Sequence, residues 1–171
     1  MAKKTKSAVG AQKNKGVYVS ITGRAAAAAM AAFRRQMRAW KVALPASAEP
    51  LIIDFGLGEF DKTGLIEVWI ANEVEAGYCG KYLFLFDGQT CPMHCHKMKH
   101  ETFFVAQGKV RMTVGARTRI MKAGDVLAMP PGPRYRHRFT GIGSALLLEV
   151  SKPSLACDNY FDDKRITGGK E

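Results

Sequence analysis

The spacing of hydrophobic residues changes once along this chain, near Pro50. Ahead of it, Met30, Phe33, Met37 and Trp40 recur at intervals of three and four, while Arg34, Arg38 and Lys41 fall on another side. That is the period of an amphipathic helix, and the alanines around Met30 favour helix intrinsically. The pattern predicts a helix over 25–42, ended by Pro45, with its apolar stripe docked on the body of the protein. Beyond Pro50 the texture becomes short β-rich runs broken by glycine and proline. Candidate strands cover 51–55, 65–71, 81–86, 101–106, 109–114, 117–121, 126–129, 135–139 and 145–151. Gln107-Gly108 and Gly115-Ala116 read as hairpin turns, and 123–125 and 130–133 as further turns. Many short strands without intervening helices make an all-β sandwich or barrel, and the double-sheet jelly roll is the specific candidate.

The length of 171 residues fits one domain with a real core, and 47% hydrophobic with 24% charged residues is a globular composition. The expected division is a flexible basic arm over 1–20, a helix and linker over 21–48, and a β-barrel over 49–171. Charge sharpens that division. The net charge is +11, yet residues 1–48 hold ten Lys and Arg with no acidic residue, while 49–171 hold sixteen basic and fifteen acidic residues. The basicity belongs to the front end, so it is read as a solvated arm and not as a nucleic-acid-binding surface. No apolar run reaches the 18 residues of a membrane span. The alanine-rich run over 25–33 starts late and is followed by Arg34-Arg35, which argues against a secretion signal. Cys79, Cys91, Cys95 and Cys157 contain no C-x-x-C pair; reduced thiols in a cytoplasmic protein fit best.

His94-Cys95-His96 carries the first chemistry. Histidines two apart on a strand share a face, and Cys95 between them points away. Cys91 and Cys95 offer a zinc site as an alternative, but the imidazole pair is the stronger ligand signal. Glu101 would supply a carboxylate, provided a turn or bulge within 97–100 brings it to the same face. Imidazoles with a carboxylate suit manganese, iron, zinc or nickel and not calcium. Gly88 stands six positions before His94 and Gly108 seven after Glu101. In every one of these spacings the stretch resembles the first signature of the cupin family, which implies a double-stranded β-helix with an N-terminal helix added here. The second cupin signature matches at Gly124 and at Pro130-Pro131-Gly132, but Tyr135 stands where the fourth ligand is usual. His137 lies two positions further on. Residues 135 and 137 share a strand face, so a two-residue insertion at Pro133-Arg134 would bring His137 to the fourth-ligand position with Tyr135 lining the pocket; Tyr135 as the fourth ligand is the alternative. His100 is expected to face solvent or the outside of the site.

Finer resemblance is carried by Gly56-Leu57-Gly58, Tyr78-Cys79-Gly80-Lys81, Cys91-Pro92 before the ligand run, Glu149-Val150-Ser151, and Asp158-Asn159 with Phe161. These look like the D-lyxose ketol-isomerase group, whose first motif, His-x-His-x-x-Lys-x-Glu, is matched with Lys99 and Glu101. The resemblance covers about 50–166. It implies a homodimeric, metal-dependent isomerase interconverting an aldose and a ketose, of the D-lyxose/D-xylulose or D-mannose/D-fructose type, through a cis-enediol. The metal expected first is manganese, with zinc, iron, cobalt or nickel as alternatives. Lys99 and Glu149 are the candidate proton carriers. Glu149 is a lone carboxylate in the apolar run 145–150, a costly placement unless paired or used; an ion pair with Arg111 or Arg138 is its structural alternative. A cation beside Lys99 would lower its pKa. An iron-dependent oxygenase and a non-catalytic sugar-binding protein are the competing functional classes.

Overall fold

The computed structural model describes residues 21–166; the basic arm expected over 1–20 lies outside that range. The first element, α1, spans Gly23–Ala39. Phe33 and Met37 are buried, and Met30 and Trp40 pack beside them, so the stripe docks as its spacing implies. The helix stops short of Pro45. Lys41 turns to φ 54°, its amide donates to the Arg38 carbonyl, and the Val42 amide reaches back to Met37, both at 3.0 Å. These two bonds form a Schellman ending, so chain reversal at Lys41, and not the proline, sets the stop.

Nine strands follow among the described residues: β1 (Leu51–Ile53), β2 (Leu65–Glu73), β3 (Tyr78–Leu85), β4 (Thr90–Cys95), β5 (Glu101–Val114), β6 (Arg117–Lys122), β7 (Val126–Met129), β8 (His137–Ser151) and β9 (Tyr160–Phe161). Two expected breaks do not exist. The runs 101–106 and 109–114 are one strand, and 145–151 continues back to His137. Gln107-Gly108 is therefore no hairpin. The register slips on either side of Gln107, and Gly108 sits at φ 75°, where a Cβ would collide with the Ser144 carbonyl oxygen. This is a bulge that bends two long paired strands together. Gly115 and Ala116 do form the expected turn, as do 123–124.

The bend lets each long strand serve two sheets. The front half of β5 pairs β7 and the back half of β8, and the back half of β8 also pairs β3, which continues to β2 and β1. The back half of β5 pairs β6 and the front half of β8, which joins β4 and then β9. Two antiparallel sheets thus face each other across shared strands, the jelly-roll architecture of the cupin double-stranded β-helix. Leu83, Leu85, Phe103, Val105, Val110, Met112, Phe139 and Leu147 fill the space between them. On the outer side of the first sheet, Ile66, Val68, Phe84 and Leu146 receive α1, and the Phe33 and Phe84 rings meet edge-on at 5.1 Å. This cover explains why Leu65 to Val68 is buried almost continuously in place of the alternation of a half-exposed strand. Among the described residues no helix is long and apolar enough to cross a membrane.

Candidate active site

At one end of the barrel the inward positions turn from apolar to charged. His94 lies in β4, and β4 ends at Cys95, just before His96. The chain bends at Lys97 and Met98 and re-enters sheet structure at Glu101, the turn that the alternation argument required. His137 opens β8 directly opposite His94. The two extra residues at Pro133-Arg134 are absorbed in a 3₁₀ turn, Pro133–Tyr135, so Tyr135 is not on the strand. Its ring packs beside the barrel core with the Arg134 guanidinium over it; the expected place on the pocket wall goes to other residues.

His94, His96, Glu101 and His137 are all buried, and one ligand atom from each lies within 4.8 Å of the others. No cysteine joins the group. The imidazoles are oriented from behind by carbonyl oxygens. His94 Nδ1 bonds Pro92 O at 2.8 Å, His96 Nδ1 bonds Asp158 O at 2.7 Å, and His137 Nδ1 bonds Tyr135 O at 3.0 Å. A carbonyl only accepts, so each Nδ1 carries the hydrogen and each Nε2 keeps its lone pair for the centre. Glu101 Oε1 lies 3.0 Å from His137 Nε2 and 3.4 Å from His96 Nε2. Yet these three buried atoms make no hydrogen bond of acceptable geometry. Converging, unsatisfied lone pairs in a dry site are what a divalent metal requires, and the three-imidazole, one-carboxylate set suits manganese or another transition metal.

Beside this group runs an alternating chain of charges. Lys99 Nζ lies 2.8 Å from Glu101 Oε2 and 3.0 Å from Glu149 Oε1. Lys81 Nζ lies 3.5 Å from Glu149 Oε2 and 3.0 Å from Glu67 Oε1, and sits over the Trp69 ring. Glu149 also accepts from Ser151 Oγ at 3.0 Å. Its partners are therefore two lysines, and not Arg111 or Arg138. Burial raises the Glu149 carboxyl, but Lys81 and then Lys99 outweigh it and hold the group below the ordinary carboxylate range. Burial likewise opposes Glu101, and the Lys99 ammonium above all brings it well below that range. Burial lowers Lys99, but Glu149 and Glu101 more than compensate, and the ammonium stays above the usual lysine value. A lowered Lys99 was the expectation; the two carboxylates reverse it. Burial, reinforced by His137 and His96, pushes His94 well down and keeps the ring neutral.

His94, Lys99, Glu101 and Glu149 line one pocket together with Glu67, Trp69, Lys81, Ser154, Asn159 and Phe161. His100 is exposed, as expected. Three participants were given no role by the sequence reading. Glu67 and Lys81 stand at inward positions of strands whose neighbours Leu65 and Leu83 are core, so a charge on the core face was the available signal. Asp158 stood among the residues carrying the family resemblance, but without a role, because it lies in an irregular tail and reaches the site across about sixty residues.

Comparison with known proteins agrees with this geometry. A family model for D-lyxose isomerase matches residues 49–114, and one for the cupin domain matches 85–151. The chain is 44% identical over 141 residues to the D-lyxose/D-mannose isomerase of Thermosediminibacter oceani, covering 67% of this chain and 77% of that protein. It is 29% identical over 143 residues, with the same coverage, to the D-lyxose ketol-isomerase of a Thermofilum species. In fold it resembles an L-ribose isomerase mutant from Acinetobacter sp. DL28 crystallised with L-ribose, with a TM-score of 0.67, 16% identity, and 88% and 96% of the two chains covered. The jelly roll, the buried ligand cluster and a relative at this identity and coverage together make the chain a member of the D-lyxose isomerase family of cupins.

Proposed function

We propose that this protein is a metal-dependent aldose–ketose isomerase acting on a free aldose of the D-lyxose or D-mannose type, with His94, His96, Glu101 and His137 as metal ligands. The carrying observation is the contact between Lys99 and both Glu101 and Glu149, which joins a ligand cluster to a proton-transfer pair. Manganese is the metal we expect, in a cytoplasmic homodimer with no nucleic-acid or membrane partner. When bound, the metal would hold sugar oxygens and offset negative charge developing on them.

The roles of the two proton carriers follow from their charge states. Glu149 is ionised at neutral pH and serves as the base; Lys99 is protonated and serves as the acid. Glu149 removes the C2 proton of the open-chain aldose while Lys99 protonates the carbonyl oxygen at C1, giving the cis-enediol. Glu149 then returns its proton to C1, Lys99 recovers one from the hydroxyl at C2, and the ketose is complete. Both side chains are buried, which limits the bulk water that reaches them. The test is a conversion panel with manganese added, comparing D-lyxose, D-mannose and related aldoses. Ketose formation is expected, with solvent deuterium entering the product in heavy water to the extent that Glu149 exchanges. No conversion of any aldose would overturn the reading in favour of an oxygenase or a sugar-binding protein.

A further inference from the structure

Between Cys95 and Glu101 the chain belongs to no sheet, so the amides of Lys97, Met98 and Lys99 have no ladder partner. All three are bonded by one residue. Asp158 Oδ1 accepts from Lys97 N at 2.9 Å and from Met98 N at 3.2 Å. Its Oδ2 accepts from Met98 N at 3.2 Å and from Lys99 N at 2.9 Å. Its carbonyl accepts from His96 Nδ1 at 2.7 Å. Asp158 is 2% exposed and ends a 3₁₀ turn in the tail beyond the barrel. One residue of the tail thus holds four consecutive residues, 96–99. They include a ligand, the acid Lys99, and the bend that brings Glu101 to the ligand face.

The tail does not depend on this carboxylate for its own place. Before Asp158, Asn72 brackets Ser154 with two hydrogen bonds, at 3.0 and 3.3 Å. After it, β9 pairs with β4 at His94 and Cys95. Buried and anchored on both sides, the Asp158 carboxylate is left to act on the bend. We propose that Asp158 is a positioning residue of the active site: its carboxylate shapes the 97–99 bend that aims Glu101 and Lys99, and its carbonyl fixes the His96 ring. The proposal rests on the metal-site reading above and extends the site to the C-terminal tail.

The test uses the metal-stripped full-length protein, titrated calorimetrically with manganese and with cobalt, and thermal unfolding without metal as the control for fold. Asp158→Ala is expected to weaken metal binding by about 10- to 100-fold, the scale for groups that orient ligands. Asp158→Asn keeps one acceptor oxygen but turns an N–H₂ group toward backbone N–H donors, so an intermediate loss is expected. The visible spectrum of bound cobalt should change in both. At saturating manganese kcat should fall more than KM rises, because Lys99 is displaced while Trp69, Lys81 and Phe161 of the pocket wall are not. Metal affinity within twofold of wild type in a folded Asp158→Ala protein overturns the proposal; if that variant does not fold, the same result in Asp158→Asn does so. Failure of both to fold without metal assigns Asp158 to the fold alone and overturns it as well. Should the wild type isomerise no aldose, the isomerase reading fails while the affinity comparison still decides this one.

Discussion

Glu149 keeps a negative charge in a wall of leucine and phenylalanine because two ammonium groups flank it, Lys99 at 3.0 Å and Lys81 at 3.5 Å. Each interior group of the run from Glu67 to Glu101 contacts two opposite charges, so removing one leaves its buried neighbours with less compensation. Glu149→Gln preserves size and should retain metal, yet lower kcat/KM by on the order of a hundredfold or more. Lys99→Met should do the same; full activity in either variant would leave that residue structural. Lys81→Met acts differently. Lys81 is the largest influence holding Glu149 down, and the proposed base would work only when unprotonated, so activity should be lost as pH falls through the Glu149 pKa. Without Lys81 that pKa rises, and the acid limb of the kcat/KM profile should move to higher pH. An unmoved limb would mean that another group sets it. Glu149 was legible in the sequence as a charge in an apolar strand. Its partners were not, because Lys99 lies 50 residues away and only strand pairing brings it near.

At the scale of elements, local pattern revealed where strands lie but not where they continue. Gln107-Gly108 satisfied the short-range rule for a hairpin, and nothing within a few residues of it records that β8 runs alongside on both sides. The difference can be tested at Gly108. A hairpin position at φ 75° accepts asparagine at little cost, whereas here a Cβ meets the Ser144 backbone. Gly108→Asn should therefore destabilise by about 2 kcal/mol or more, from left-handed strain with close contact added, and lower Tm by several degrees. β4 entered the sequence reading only as the strand assumed for the His-x-His pair, and its bounds were not legible because Pro92 interrupts it; the proline falls where the β4–β8 register slips, the kind of place that tolerates one. The α1 stripe was legible because its contacts follow a single period. Phe33→Ala, at a fully buried position against Phe84, should cost about 3–5 kcal/mol in chemical denaturation.

For the whole molecule, the two ends of the barrel do opposite work. One is packed with Leu85, Val105, Val110 and Ala145; the other holds unsatisfied lone pairs and buried charges. Fold class was legible because many short strands and the spacing of one ligand run are sequence properties, while the convergence of β4, β5 and β8 on one centre is a property of the folded barrel. A metal bound only by the folded state should stabilise it by about 2.7 kcal/mol at a hundredfold excess over Kd. Chelation should therefore lower Tm, and an unchanged Tm would count against a resident metal. The outer face of the first sheet is uneven in the same way. α1 covers Ile66, Phe84 and Leu146 at one end. At the other, Ile70, Phe104, Val126 and Val150 are 43%, 38%, 58% and 54% exposed. Val126 stands opposite Phe104, and Val150 lies across from Thr102 two positions along the same strand. A run of exposed apolar side chains on a sheet face is the usual mark of an interface, and a twofold dimer would pair the face with itself. We expect sedimentation at micromolar concentration to give the mass of a dimer, and Val150→Lys to shift it toward the monomer while the metal stays bound. A monomeric wild type would remove the dimer from the proposal; a dimer indifferent to Val150→Lys would move the interface elsewhere.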